Sequence, residues 1–136
     1  MPTIAFISPK GGVGKTTSAT VLATQLARIA PVTIIDADPN RPVEAWARRQ
    51  GKPDGVTVVS DVNQENIIDR IDAAAATTPF VVVDCEGTAS LTVAYAINAA
   101  DLVIVPTQAS QLDARQAARA LKLVTDAEKQ IRRKIL

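Results

Sequence analysis

Short aliphatic runs alternate along the chain with longer stretches in which apolar residues recur at helical spacing. The aliphatic runs predict strands at Thr3–Ile7, Val32–Asp36, Val56–Val59, Phe80–Asp84 and Asp101–Val105. The other stretches predict helices at Lys15–Ile29, Pro42–Gln50, Gln64–Ala76, Ser90–Ala99 and Asp113–Gln130. Strands that alternate with helices of this length predict right-handed βαβ units. We therefore expect a three-layer α/β domain, with a mainly parallel central sheet flanked by helices.

The spacing of apolar residues also predicts which face of each helix packs on the sheet. For the first helix the expected core positions are Val21, Leu22, Leu26 and Ile29. For the third they are Ile67, Ile71 and Ala74, and for the last they are Ala114, Ala117, Leu121 and Val124. The expected domain spans residues 1–136 and stops where a doubly wound fold would normally begin another strand. This position favours either a truncated domain, without its C-terminal strands and helices, or a minimal core.

Composition narrows the classes of protein that remain. Apolar residues are 47% of the chain and aromatics only 3%, so aliphatic side chains and alanine must fill the core. The chain has no histidine, which excludes imidazole acid–base chemistry and Ser-His-Asp triads. One cysteine, Cys85, is too few for an internal disulfide or a metal cluster, and we expect it to be a small buried filler in a cytoplasmic protein. A net charge of +1 gives no global argument for nucleic-acid or membrane binding, and no apolar run is long enough for membrane insertion.

A glycine-rich segment lies between the first predicted strand and the first predicted helix. Residues 10–17 are Lys-Gly-Gly-Val-Gly-Lys-Thr-Thr, a variant of the phosphate-binding loop G-x-x-x-x-G-K-[ST]. The glycines allow backbone N–H groups to turn towards an anion, and the helix N-terminus adds further donors. The predicted phosphate-binding residues are Gly11, Gly12, Val13, Gly14, Lys15, Thr16 and Thr17. Lys15 is expected to meet the β- and γ-phosphates, and the Thr16 hydroxyl to bind magnesium.

Acidic residues follow two of the predicted strands. The run Val32–Asp36 continues into Ala37-Asp38-Pro39-Asn40, and the run Phe80–Asp84 has the form of a Walker B strand, whose acid holds magnesium through a water. An ATPase needs carboxylates near both magnesium and the attacking water. Asp84, with Thr16, is therefore a predicted metal-site residue.

The segment Lys-Gly-Gly-Val-Gly-Lys-Thr-Thr resembles the deviant Walker A motif of the ParA/MinD ATPases. The resemblance covers nearly all of this chain, but only the first part of a usual family member. It implies an ATP-dependent sandwich homodimer in which Lys10 acts in trans on the partner's nucleotide. It also implies that Asp38, in the D-x-D-P segment, positions or activates water, and that Asp36 lies near the magnesium shell as a third metal-site residue. Lys10, Lys15 and Asp38 are thus the expected catalytic residues.

Further segments resemble this family less closely. Val103-Ile104-Val105-Pro106-Thr107 is similar to the strand whose end approaches the nucleotide, so Thr107 and Gln108 are candidate nucleotide contacts. Glu86 departs from the proline or small residues that the family usually has after its Walker B acid. The missing Asn-Lys-x-Asp motif favours ATP over GTP, and the family's adenine contacts come largely from segments beyond Leu136.

The function that the resemblance implies is an ATP-hydrolysing dimerisation switch for DNA segregation. Its hydrolysis is expected to be slow and stimulated by a ParB-like partner, with ATP and Mg²⁺ bound and non-specific DNA as a further partner. The alternatives are an ATPase of conjugative DNA transfer, a nucleotide-binding module without turnover, and a dethiobiotin-synthase-like metabolic enzyme. Lys10 argues against the last of these.

Basic residues recur along the last predicted helix. Arg115, Arg119, Lys122, Lys129 and Arg133 are expected to share one stripe. Such a stripe would suit phosphate contacts with DNA, although a solvated helix face is the commoner explanation. The tail from Lys129 to Leu136 is expected to be a helix end that packs against a missing strand. Trp46 is expected to anchor its helix.

Overall fold

The computed structural model describes residues 1–9, 11–87 and 90–136. Five strands form one sheet in the order β3-β2-β4-β1-β5, and every pairing between these strands is parallel. The strands are β1 (Thr3–Phe6), β2 (Val32–Ala37), β3 (Val56–Val59), β4 (Phe80–Cys85) and β5 (Leu102–Ile104). The mainly parallel sheet predicted from the sequence is therefore confirmed. The carboxyl ends of all five strands lie at one edge of the sheet, which is where open α/β sheets bind ligands.

Helices cover both faces of the sheet, as predicted. They are α1 (Lys15–Leu26), α2 (Pro42–Ala47), α3 (Ile67–Thr77), α4 (Leu91–Ala99) and α5 (Gln111–Ile131). One core cluster joins α1 and α2 to one face of the sheet, and a second joins α3, α4 and α5 to the other face. Trp46 packs against the first cluster and Cys85 is buried in the second, as expected for each. None of the helices in the described ranges is both long and apolar enough to cross a membrane.

The prediction for the buried face of α3 is confirmed, but the prediction for α1 is partly wrong. Ala19 and Ala23 are the fully buried positions of α1, whereas Val21 and Ile29 are 56% and 76% exposed. Small side chains let the helix axis approach the sheet closely, so the larger residues lie at the flanks of the contact. Ile29 also lies beyond the last helical residue, Leu26.

The predicted face of α5 is likewise shifted. Its buried positions are Asp113, Ala120 and Ala127, while Ala114 is exposed and Leu121 is 59% exposed. Val124, another predicted position, is partly buried and packs against the core together with Leu123 and Ile131, so the prediction for this face is only partly wrong. Hydrophobicity alone predicted that Leu121 would be buried, whereas in the packed fold the alanines Ala120 and Ala127 face the core.

The segment after α5 differs from the predicted helix end. Arg133 lies outside the helix, where it ion-pairs with Asp101 and donates a 2.7 Å hydrogen bond to the carbonyl of Ala100. It therefore does not belong to the basic helical stripe. The N–H of Leu136 donates to the carbonyl of Asp101, and the carbonyl of Leu136 accepts from the N–H of Val103, which is a parallel pairing beside β5.

Candidate functional site

The glycine-rich segment connects β1 to α1 at the carboxyl edge of the sheet. Gly14 is the N-cap of α1 with a φ of 84°, and Gly12 has a φ of 77°. Both values lie in the left-handed region, which residues other than glycine rarely adopt. Within the described ranges, the first turn of α1 has no side-chain cap and no acidic residue. Its N–H groups therefore remain available to an anion that approaches from the cavity.

Below this loop, Lys15 and Thr16 meet the carboxylate of Asp84. The Lys15 ammonium ion-pairs with Oδ1 of Asp84, and the Thr16 hydroxyl donates a 2.6 Å hydrogen bond to Oδ2. Asp84 is fully buried at the end of β4, and the side chain of Lys15 is only 10% exposed. A buried carboxylate is costly unless it is paired, so these two contacts account for its position in the core.

Asp36 lies beside Asp84, because the two residues are register partners in neighbouring parallel strands. Asp36 is fully buried, and its Oδ2 accepts a 2.9 Å hydrogen bond from the N–H of Glu44. Its Oδ1 has no hydrogen-bond partner among the described residues. Burial, followed by the nearby charge of Asp84, raises the pKa of Asp36 above its usual 3.8. The orphaned oxygen makes Asp36 a candidate ligand for a water or a cation.

Asp38 follows β2 in a tight turn at the mouth of the same site. Its Oδ1 accepts a 2.8 Å hydrogen bond from the N–H of Asn40, and its carbonyl accepts one from Arg41. Its Oδ2 lies 3.9 Å from the Lys15 ammonium, and the residue is 8% exposed. The turn thus presents one carboxylate oxygen towards the phosphate loop while the other is held by the backbone.

The glycine loop, the start of α1 and Asp38 border a cavity of about 220 Å³. Pockets that hold a whole drug-sized ligand measure roughly 300–1,000 Å³, so this cavity suits a phosphate chain better than an entire nucleotide. It is lined by Ser8, Gly11, Gly12, Gly14, Lys15, Thr16, Thr17, Asp38, Glu86 and Gly87. Most of the residues predicted to bind phosphate are therefore brought together, with Asp36 and Asp84 buried beneath Lys15 and Thr16.

The remaining candidate residues lie around the cavity or outside the described ranges. Gln108 approaches the loop, with its side-chain amide 3.4 Å from the carbonyl of Gly12. Thr107 and Val13 line a separate, very small cavity behind the loop. Lys10, the residue expected to act in trans, lies outside the described residues.

The sequence did not identify three lining residues as site residues. Ser8 and Gly87 form an isolated antiparallel bridge across the cavity wall, and Glu86 lies between that bridge and β4. The position of Glu86, two residues after the Walker B acid, was a usable signal for its place at the site. The bridge had no local signal, because it joins residues that are distant in the chain.

The donor set fits a divalent cation. Lys15, the one described cation of the cavity lining, faces both Asp38 and Asp84, which leaves an excess of negative charge. Asp36 lies beside Asp84 on the neighbouring strand. The described residues contain no cluster of three acidic, cysteine or histidine side chains able to hold a metal by themselves. Magnesium does not need one, since it commonly keeps its waters and binds one or two protein ligands together with phosphates.

Known proteins resemble this chain in both sequence and structure. Residues 1–132 match the family described as VirC1 protein. The chain belongs to the VirC1 family. It is 43% identical over 136 residues to Protein ParA of Rhizobium radiobacter, covering 99% of this chain and 61% of the relative. It is also 32% identical over 110 residues to the maintenance of carboxysome distribution protein A of Gloeobacter kilaueensis, covering 81% of this chain and 50% of that protein.

The fold of this VirC1-family chain also agrees with a solved structure. A Cyanothece McdA variant in complex with ATP superposes with a TM-score of 0.84 at 20% identity, covering 99% of this chain and 67% of that one. The matches together establish membership of the wider ParA/MinD group of P-loop proteins, as the loop sequence predicted. The chain spans 61% and 50% of the lengths of the two curated relatives described above.

Proposed function

We propose that this chain is the nucleotide-binding part of an ATPase that binds ATP with Mg²⁺ and segregates DNA or another cargo. The observation that supports it most directly is the meeting of Lys15, Thr16 and the buried Asp84 beneath a glycine loop. The names of its relatives agree, since one is a ParA and another maintains carboxysome distribution.

The phosphate chain occupies the cavity in this proposal. The loop amides and the first turn of α1 donate to its oxygens, and Lys15 turns from Asp84 towards the β- and γ-phosphates. Thr17, which lines the cavity, donates towards the α-phosphate. Lys15 therefore exchanges one anionic partner for another, so its charge stays paired in both states.

Mg²⁺ would be held by the Thr16 hydroxyl and, through water, by Asp84 and Asp36. When bound, the ion neutralises phosphate charge and stabilises the leaving oxygen. Its charge would also replace that of Lys15 as the counter-charge of Asp84. The orphaned Oδ1 of Asp36 is the feature of the chain that favours this arrangement.

Asp38 is the proposed water-positioning residue. Its Oδ2 faces the cavity near Lys15 while its Oδ1 is fixed by Asn40, so its carboxylate has a defined orientation. A carboxylate in such a position accepts a hydrogen bond from a water and directs it at the γ-phosphate.

Lys10 is proposed to complete the site in trans within an ATP-dependent homodimer. A cation from a second subunit stabilises transition-state charge in the way an arginine finger does. Hydrolysis that requires assembly is slow in the isolated chain, which leaves room for stimulation by a ParB-like partner and by non-specific DNA. Thr107 and Gln108 are proposed to border the nucleotide.

Calorimetry with ATP analogues tests the nucleotide site. We expect Mg²⁺-dependent binding in the wild type and a loss of about tenfold or more in Thr16→Ala, because a charge-assisted contact is worth roughly 1.5–3 kcal/mol. Thr24→Ala, a partly buried threonine further along α1, is the matched control and should bind normally. Equal binding by both variants would exclude Thr16 from the metal site.

The dimerisation switch needs a separate measurement. Analytical ultracentrifugation with ATP should show a dimer for the wild type and a monomer for Lys10→Ala, while both bind nucleotide. Lys122→Ala, on the exposed face of α5, is the control. A wild-type protein that stays monomeric with ATP would refute the sandwich dimer, and failure to hydrolyse ATP with or without DNA would favour a binding module without turnover.

Partition and conjugative transfer of DNA remain to be distinguished in cells. Loss of the gene should raise the frequency of plasmid-free daughter cells in the first case, and lower transfer frequency in the second. Complementation with Lys15→Ala should fail in whichever assay reports the true function.

A further inference from the structure

Arg41 has a left-handed backbone conformation that is unfavourable for two reasons. Its φ and ψ are 51° and 49°, so it is one of two non-glycine residues with positive φ in the described ranges. It also directly precedes Pro42, and a residue before proline is sterically restricted towards extended conformations. Such conformations persist where surrounding contacts over-determine them, and they cluster at functional sites.

The Arg41 side chain supplies those contacts. Its Nη1 donates a 2.8 Å hydrogen bond to the carbonyl of Asp36, and its Nη2 donates a 3.0 Å hydrogen bond to the carbonyl of Val62. The pairing of β2 with β3 ends one residue before Asp36, at Ile35 and Val59. The guanidinium therefore bridges two backbone segments just beyond the point where the strand ladder stops.

The same residue closes the turn that contains Asp38. The N–H of Arg41 donates a 2.9 Å hydrogen bond to the carbonyl of Asp38, and the N–H of Asn40 donates to its carboxylate. Arg41 is thus bonded through its backbone to Asp38 and through its side chain to the end of β2. The backbone bond closes the turn, and the side-chain bond ties it to the sheet that also holds Asp36 and Asp84.

We propose that Arg41 is a positioning residue that holds the Asp38 carboxylate at the mouth of the phosphate cavity. This inference rests on the proposed function, since it assigns Asp38 a role in hydrolysis. Lysine cannot replace the arginine fully, because a single ammonium lacks the planar fork that reaches two carbonyls at once. Glycine would relieve the left-handed backbone but remove the clamp.

Arg41→Gly is the informative variant, since relief of strain and loss of the clamp act in opposite directions. We expect amide exchange of Asn40 to become at least tenfold faster in the nucleotide-free variant. We expect kcat for ATP to fall about 10- to 100-fold with KM within about threefold, because a misplacement of about 1 Å can cost 10²-fold. Arg48→Ala removes an exposed arginine just after α2 and is the matched control for both measurements.

A solvated Arg41 predicts unchanged amide exchange, and a purely structural Arg41 predicts faster exchange with an unchanged kcat. Exchange of Asn40 within twofold of wild type, or an unchanged kcat in Arg41→Gly, would overturn the proposal. Should Arg41→Gly fail to fold, Arg41→Lys decides, with an intermediate exchange rate and kcat expected and wild-type values contradicting it. Absence of hydrolysis in the wild type would refute the proposed function instead, while the exchange measurement would still test the clamp.

Discussion

Replacing Lys15 by methionine tests how the nucleotide-free site holds its buried charge. The side chains of Lys15 and Asp84 are 10% and 0% exposed, and Lys15 also lies 3.9 Å from Asp38. Methionine preserves much of the volume of lysine but leaves Asp84 with the Thr16 hydroxyl as its described side-chain partner. The variant therefore converts a paired buried carboxylate into one without a counter-charge.

The expected cost is large for a domain of this size. Removing one partner of a buried pair destabilises proteins by about 3–5 kcal/mol, because the other charge stays in a medium of low dielectric constant. Total stability is typically about 5–15 kcal/mol. With a urea m-value near 2 kcal/mol/M, the unfolding midpoint should fall by roughly 1.5–2.5 M.

Urea denaturation at pH 7 without nucleotide measures this change. The double variant Lys15→Met/Asp84→Asn removes the orphaned charge as well, so it should recover most of the lost stability. Lys122→Met, on the exposed surface of α5, should stay within about 0.5 kcal/mol of wild type. The reasoning is refuted if Lys15→Met costs less than about 1 kcal/mol, or if the double variant is no more stable than Lys15→Met.

Three further predictions concern single carboxylates and the thiol. The raised pKa of Asp36 means that its contribution to stability is complete below its ordinary 3.8 and is lost as pH rises through the raised value. Asp36→Asn should therefore be about 1–2 kcal/mol more stable than wild type in thermal or urea unfolding at pH 7, and no more stable at pH 3.5, yet bind Mg²⁺–ATP more weakly. An equal advantage at both pH values would contradict it. Burial and then the charge of Asp84 raise the pKa of the Cys85 thiol to about 12. Because the thiolate is the reactive form, iodoacetamide at pH 8 should alkylate the native protein on the order of 10³-fold more slowly than the unfolded chain, and equal rates would contradict the burial. Glu86 borders the cavity, where its negative charge would repel phosphate. Two unit charges roughly 6 Å apart in water repel by about 0.7 kcal/mol, so Glu86→Gln should tighten nucleotide binding about threefold by calorimetry. Weaker binding would show instead that Glu86 supports the ligand.

Much of the secondary structure was predictable because the spacing of apolar residues agrees with the positions of the prolines and glycines that end helices and strands. β3 has the predicted bounds Val56–Val59, and β1, β2 and β4 each end within one residue of their predicted ends. The wrong predictions concern the ends of helices and the faces that helices bury. The helix predicted to continue to Ile29 ends at Leu26, since capping and local packing rather than periodicity set the final turn.

The candidate site was predictable where one short segment contains all of its chemistry. The loop from Gly11 to Thr17 could be recognised from residue types alone, because glycines, lysine and threonines are what a phosphate requires of a strand–loop–helix junction. Ser8 and Gly87 required the structure, since their contribution depends on how the end of β4 lies against the end of β1. Glu86 could have been included, because it lies two residues after the Walker B acid.

By itself, the sequence determined the alternation of strands and helices, the phosphate loop, and the acids that end β2 and β4. These are local properties, which depend on side-chain type and spacing. The tertiary structure alone decided that Asp36 and Asp84 are register partners, that Lys15 pairs with Asp84, and that Arg41 bridges Asp36 to Val62. Each of these joins residues from separate segments, and strand order and register, which depend on the packing of the whole sheet, determine whether such residues meet.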